Sequence, residues 1–68
     1  MNFTIEIDRE IDGRIIAEVP ALPGVLVYGH SEQEALAKVQ ALALRVLADR
    51  LEHGEADPQL ISLSFMAA

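Results

Sequence analysis

Residues 18–31 constrain the fold of this chain more than any other stretch. Pro20 lacks a backbone N–H and disfavours helical geometry at the residue before it, which predicts the end of a strand there. Pro23 and Gly24 suit the two central positions of a type II turn, in which the glycine takes a positive φ. The stretch therefore predicts a strand, a tight proline-braced turn and a second short strand at residues 25–28.

A long amphipathic helix is predicted next. Gly29 ends the short apolar strand, and Ser31 with Glu34 three residues later forms a capping box. The helix is expected over residues 31–53, with Gly54 as its left-handed stop. Its apolar residues recur at the spacing of one buried stripe: Ala35, Leu36, Val39, Leu42, Ala43, Val46, Leu47 and Leu51.

The first two strands are predicted from alternating apolar and polar residues at 3–8 and 14–19. A two-residue hairpin loop would place charged side chains on the apolar face, so the loop must hold an odd number of residues. A three-residue loop with Gly13 in a left-handed bulge meets this requirement. It sets Ile7 opposite Ala17.

A final alternating run at residues 59–66 predicts a fourth strand. The helix crosses back over the sheet, so this strand is expected to run parallel to the first, in a right-handed crossover. The predicted fold is α+β, with element order βββαβ, strand order 3-2-1-4 and one helix on one face. Residues 1–68 are expected to form a single domain.

Composition and charge exclude several function classes. The chain has no cysteine, which removes disulfides, thiol catalysis and thiolate metal sites. Its net charge is −6 with only five Lys and Arg residues, and direct nucleic-acid binding is disfavoured because phosphate contacts need clustered cations. No stretch is long enough to span a bilayer, and the N-terminus has no leader pattern. A cytoplasmic protein is expected.

Acidic side chains in the first two strands and their loop are the main candidates for partner contact: Glu6, Asp8, Glu10, Asp12 and Glu18. Glu6, Asp8 and Glu18 could hold Mg²⁺ for nuclease chemistry, but such a site needs a shielding cleft, and these carboxylates are predicted on an open sheet face. A solvated acidic patch for a basic partner accounts for them better. No catalytic group, metal ion or cofactor is expected.

Apolar side chains are also expected outside the core. Leu26 and Tyr28 should lie with Ile16 on the sheet face opposite the helix, and Leu44 lies off the buried helical stripe. These positions suggest a partner or dimer surface as much as scattered exposure. His30, beside the helix cap, could contact a partner, but lies about 30 Å along the helix from the other histidine and cannot share a metal ion with it.

Four motifs occur in the order of a known family: Asp12-Gly13, then A-E-V-P-A-L-P-G at 17–24, then G-H-S-E-Q-E-A-L at 29–36, then Gly54 and Pro58. With them the chain resembles the HicB-type antitoxin domain over nearly its whole length. The resemblance implies a partial ribonuclease-H-like βββαβ fold. It also implies binding and blocking of HicA, a small basic ribonuclease with a catalytic histidine.

The sequence departs from the family pattern at several positions. Val25 stands where cysteine is common, Ala21 where an acidic residue is usual, and His30 where aspartate often precedes the cap. Many HicB proteins carry a C-terminal DNA-binding domain, which is not expected in this short chain. Repression of its own operon by direct operator binding is therefore not expected either.

The first hypothesis is a HicB-like antitoxin, not an enzyme, that occludes a basic HicA-type ribonuclease. The acidic residues named above would form the electrostatic surface, with Leu26, Tyr28 and His30 as additional contacts. Two alternatives stay open: a stand-alone homo-oligomeric interaction module, and a reduced metal-dependent nuclease that uses Glu6, Asp8 and Glu18.

Overall fold

The computed structural model describes residues 1–55 and 62–68. A four-stranded mixed sheet carries one long helix on one face, and its strand order is β3-β2-β1-β4. β1 pairs antiparallel with β2 and parallel with β4, and β2 pairs antiparallel with β3. The predicted topology is confirmed. The elements are β1 (Asn2–Arg9), β2 (Ile15–Glu18), β3 (Leu26–Gly29), α1 (Glu32–Glu52) and β4 (Ser64–Ala67).

The β1–β2 hairpin has the predicted three-residue loop. The Glu10 N–H donates to the Arg14 carbonyl at 2.8 Å, and the Gly13 N–H donates to the Glu10 carbonyl at 2.9 Å. Gly13 has a φ of 92°, the left-handed conformation that the bulge requires. Ile7 lies opposite Ala17, as the odd loop demands. The register thus keeps the apolar side chains of both strands on one face.

The proline-braced turn joins β2 to β3. The Val25 N–H donates to the Leu22 carbonyl at 3.0 Å across a turn in which Gly24 has a φ of 86°, so the predicted type II geometry is confirmed. A second turn precedes it through Pro20, where the Leu22 N–H donates to the Val19 carbonyl at 2.9 Å. The Val19 N–H in turn donates to the Val25 carbonyl at 3.0 Å, which aligns the two strands.

The helix N-terminus has a modified capping box. Ser31 Oγ accepts the Glu34 N–H at 3.1 Å, as predicted. The Glu34 carboxylate reaches back to the His30 N–H at 3.4 Å, not to the N–H of the cap residue itself. It also pairs with Lys38 one turn later at 3.0 Å. Glu34 therefore ties the cap to the first turns of α1.

The helix ends at the predicted left-handed glycine. Gly54 has a φ of 70°, and its N–H donates to the Leu51 carbonyl at 3.3 Å. The Glu55 N–H donates to the Arg50 carbonyl at 2.7 Å. This pair of bonds is a Schellman motif, and it satisfies carbonyls that would otherwise lack partners.

The core lies between α1 and the sheet. Helix residues Ala35, Val39, Ala43 and Leu47 form its helical side. The predicted third strand covered residues 25–28 and stopped before Gly29, whereas Gly29 is the last residue of β3 in the structure. A Cβ on Gly29 would lie 2.7 Å from the Ala35 nitrogen, so only glycine allows the helix to begin this close to the sheet. The sheet and loop side consists of Phe3, Ile5, Ile15, Ala17, Val19, Leu22 and Val25.

Two sequence predictions are wrong at their ends. Leu51 was assigned to the buried stripe but is 41% exposed, because α1 spans about 30 Å whereas β2 and β3 each span about 13 Å. Of the predicted strand at residues 59–66, Ser62 and Leu63 lie before β4, which begins at Ser64; residues 59–61 lie outside the described part of the chain. Phe65 of this strand stacks on Phe3 with ring centroids 5.9 Å apart.

Leu47→Ala should destabilise the protein far more than Leu44→Ala. Leu47 is 6% exposed and packs in the core, whereas Leu44 on the same helix is 48% exposed. We expect the free energy of unfolding to fall by about 2–4 kcal/mol for Leu47→Ala and by no more than about 1 kcal/mol for Leu44→Ala. Urea denaturation measures both, and equal losses would contradict the placement of the helical stripe.

Glu34 should titrate below the usual range of glutamate. The hydrogen bond from Lys38, followed by that from the His30 backbone, lowers the pKa of Glu34. Because the folded-state pKa is the lower one, the contribution of Glu34 to stability is present above the usual glutamate pKa and is lost as pH falls through the lowered value. NMR titration should show the pKa of Glu34 rising in Lys38→Met. An unchanged pKa would contradict this account.

Candidate functional site

The sheet face opposite α1 is the candidate functional site, and we call it the open face. Side chains alternate between the two faces of each strand, so the core residues of β1, β2 and β3 leave the intervening residues on this side. No helix or strand in residues 1–55 and 62–68 covers it. Its members in these three strands are Asn2, Thr4, Glu6, Asp8, Ile16, Glu18, Leu26 and Tyr28.

Two cross-strand rows organise the open face. In the first row Glu18 lies directly opposite both Glu6 on β1 and Leu26 on β3. In the second row Ile16 lies opposite both Asp8 and Tyr28. Like charges directly opposite one another destabilise a sheet, so the Glu6–Glu18 pair opposes folding. Side-chain alternation alone places these carboxylates on the same face. The register of the hairpin sets Glu6 and Glu18 directly opposite each other.

An open groove of about 460 Å³ runs along this face. The groove combines carboxylates with aliphatic side chains, which are the two kinds of surface that a lysine or arginine side chain contacts in a protein interface. The arrangement therefore suits cationic side chains of a partner. The groove is lined by Glu6, Ile7, Asp8, Ile16, Glu18, Leu26 and Ala68.

A metal site is not formed on this face. Within the described ranges 1–55 and 62–68, no three histidine, aspartate or glutamate side chains are grouped so that they could hold a metal ion. Glu6, Asp8 and Glu18 share the groove without forming such a group.

Glu10 and Asp12 lie at the hairpin end and do not line the groove. Asp12 is bonded to Arg14, whose Nε lies 2.8 Å from Oδ2 and whose N–H donates to Oδ1 at 3.1 Å. The backbone bond from Arg14 is the main cause of the lowered pKa of Asp12, and the guanidinium adds to it. The charge of Asp12 is thus balanced within the chain, and Glu10 is half-buried beside the loop.

The aromatic contact on this face was not predicted. Arg14 places its guanidinium carbon 4.7 Å from the ring centroid of Tyr28, within cation–π range. Tyr28 is still 43% exposed and Leu26 is 41% exposed. Arg14 alternates with the core residues in the same way as Ile16 and Glu18. This alternation predicts the open face for Arg14, although it does not predict the contact with Tyr28.

His30 lies apart from the acidic groove. It is exposed, and it borders a smaller cavity of about 210 Å³ between the start of α1 and the hairpin. The structure therefore brings together Glu6, Asp8, Glu18 and Leu26 in one groove, places Tyr28 beside it, and leaves His30 elsewhere. The smaller cavity is lined by Arg14, Tyr28, Gly29, His30, Glu34 and Lys38.

None of the helical residues that the structure describes forms a segment long and apolar enough to cross a membrane. No protein-family model matches the chain, and no solved structure matches it. The ribonuclease-H-like likeness therefore stays an expectation from the sequence resemblance.

One curated protein is similar to most of the chain. UPF0150 protein Ta0767 of Thermoplasma acidophilum is 30% identical over 59 residues, which cover 87% of this chain and 86% of that protein. The similarity spans nearly the whole of both proteins, so it extends over the sheet and the helix together. The chain belongs to the UPF0150 family.

Proposed function

We propose that this chain is a HicB-like antitoxin that binds a small basic ribonuclease of the HicA type and occludes it. Membership of the UPF0150 family, which is HicB-like, supports the proposal at the coarse level of a toxin–antitoxin family. The residue motifs described above support the finer assignment. Inhibition by occlusion needs a complementary surface and no catalytic group, so the chain acts as a binding protein and not as an enzyme.

The observation that carries the proposal is the acidic groove on an uncovered sheet face. Glu6 and Glu18 lie directly opposite each other, with Asp8 in the next row. Burying either carboxylate without a counter-charge would be unfavourable, whereas lysine or arginine side chains from a basic partner would neutralise the repulsion. The exposed side chain of Leu26, next to Glu18, adds apolar contact in the same groove.

The net charge of −6 acts on association before contact is made. A negative chain attracts a basic protein at long range and raises the encounter rate, in a manner that weakens with salt. The carboxylates in the groove act at short range and slow dissociation. A partner selected by this face should therefore carry clustered Lys or Arg residues.

Self-association is a second candidate function. Leu44 and Leu51 on α1 are 48% and 41% exposed, which favours a module that joins copies of itself. Light scattering coupled to size exclusion tests this alternative with the pure protein. A mass equal to one chain at all concentrations would exclude the homo-oligomeric module and leave the antitoxin proposal unaffected.

Neutralising the groove should abolish inhibition without loss of folding. The triple variant Glu6→Gln, Asp8→Asn, Glu18→Gln is compared with a control of equal charge change on the helix, Glu32→Gln, Asp49→Asn, Glu52→Gln. We expect at least about a hundredfold weaker binding for the groove variant, because each desolvated charge pair contributes about 1.5 kcal/mol or more. The control should change binding only through long-range steering, by about threefold or less.

The measurement requires a small basic ribonuclease of the HicA type as the partner, co-expressed with the chain. Titration calorimetry gives the affinity, and cleavage of a synthetic RNA gives the inhibition. Because the groove variant removes the Glu6–Glu18 repulsion, its thermal stability should not fall, so lost binding cannot be ascribed to unfolding. Equal weakening by both triple variants would contradict the assignment of the surface. Undiminished RNA cleavage in the presence of the wild-type chain would contradict the function itself.

A further inference from the structure

Strand β3 forms one outer edge of the sheet. The hydrogen bond from the Val19 N–H to the Val25 carbonyl, together with the pairing of Ala17 with Val27, shows which main-chain groups face β2. Antiparallel pairs alternate in this respect, so the N–H and carbonyl groups of Leu26 and Tyr28 point away from the sheet. Such an edge is a template for pairing with another strand.

The helix supplies a side chain that occupies part of this edge. Lys38 Nζ donates to the Tyr28 carbonyl at 3.2 Å. The same ammonium group lies 3.0 Å from a carboxylate oxygen of Glu34, which also accepts the His30 N–H at 3.4 Å. Lys38 is therefore held over the outward carbonyl of β3 by an ion pair that is itself fixed to the helix cap.

The remaining outward groups on this strand have less protection. The Leu26 N–H donates to the Gly24 carbonyl at 3.2 Å, within the preceding turn. In the described part of the chain, no hydrogen bond is assigned to the Leu26 carbonyl or to the Tyr28 N–H. Those two groups are the ones that an added antiparallel strand would use first.

A second copy of this chain is the occupant that fits the edge best. The open face is acidic and repels another copy, whereas β3 carries no charged residue. Two β3 strands paired antiparallel about Val27 would place Leu26 of one copy beside Tyr28 of the other, on the same face. Both side chains are more than two-fifths exposed in the single chain. The pairing is isologous, so one two-fold axis generates both contacts.

We propose that Lys38 closes the β3 edge against pairing with a second copy of this chain. In the symmetric pair each Tyr28 carbonyl would accept the Leu26 N–H of the other copy, and this carbonyl is the group that Lys38 occupies. Pairing therefore brings the added strand against two Lys38 ammonium groups, one at the Tyr28 carbonyl of each copy. The inference stands apart from the proposed antitoxin function, because it concerns an edge and not the acidic groove.

The test compares Lys38→Met with Arg45→Met. Methionine keeps an unbranched apolar stem but has no donor and no charge, and Arg45 is an exposed helical cation, so both variants lose one positive charge. Sedimentation equilibrium measures the self-association constant of each. We expect Lys38→Met to associate at least about tenfold more tightly than Arg45→Met, because pairing no longer disturbs a charge-assisted hydrogen bond at the Tyr28 carbonyl of each copy.

A second substitution locates the contact. Tyr28→Pro removes an N–H that points outward, so it spares the β2–β3 bonds and blocks the added strand. The double variant Lys38→Met, Tyr28→Pro should return to the association constant of Arg45→Met, with circular dichroism confirming the fold. Equal association of the Lys38→Met and Arg45→Met variants would overturn the proposal. So would a tightening by Lys38→Met that survives Tyr28→Pro in a folded protein.

Discussion

The close approach of the helix to the sheet at Gly29 is the contact on which the rest of this structure depends. At Gly29 the strand has no side chain, and the first turn of α1 lies where a Cβ would be 2.7 Å from the Ala35 nitrogen. This contact fixes the height of the helix above β3, and the small residues Ala17 and Ala43 are fully buried between helix and sheet. It also brings Lys38, one turn further along, within reach of the strand edge.

Because one helix covers only one face of the sheet, the two faces differ in polarity and burial. One face is dry and aliphatic, and no buried polar side chain lies within the part of the chain that the structure describes. The other face holds Glu6 against Glu18 and keeps the repulsion unrelieved. In a chain of 68 residues the stability margin is small, so a destabilising pair of this kind is more simply explained by binding than by folding.

The sequence predicted the parts of the structure that are set by steric and register rules. The odd hairpin loop followed from the need to keep charges off the apolar face, and the turn at Gly24 and the helix stop at Gly54 followed from positive φ. The prediction that Leu51 is buried was wrong, because helical periodicity carries no information about where the sheet beneath the helix ends. Ser62 and Leu63 were predicted within the last strand but precede it, because side-chain alternation does not show where pairing with β1 begins.

The candidate site was predictable in its composition and strand register but not in the contacts of its long side chains. Alternation placed Glu6, Asp8 and Glu18 on one face, and the confirmed pairing of Ile7 with Ala17 sets Glu6 against Glu18. The positions of Arg14 over Tyr28 and of Lys38 on the Tyr28 carbonyl depend on the rotamers of long side chains. Periodicity carries no information about those rotamers, so neither contact could be predicted.

The parallel pairing of β1 with β4 has a consequence for the order in which the protein forms. Phe3 and Phe65 meet in the folded sheet although they come from opposite ends of the chain. During synthesis the hairpin, the turn and the helix can all assemble before β4 leaves the ribosome. Throughout that interval β1 is itself an outer strand, and its free edge stays exposed to wrong strand partners until β4 pairs with it.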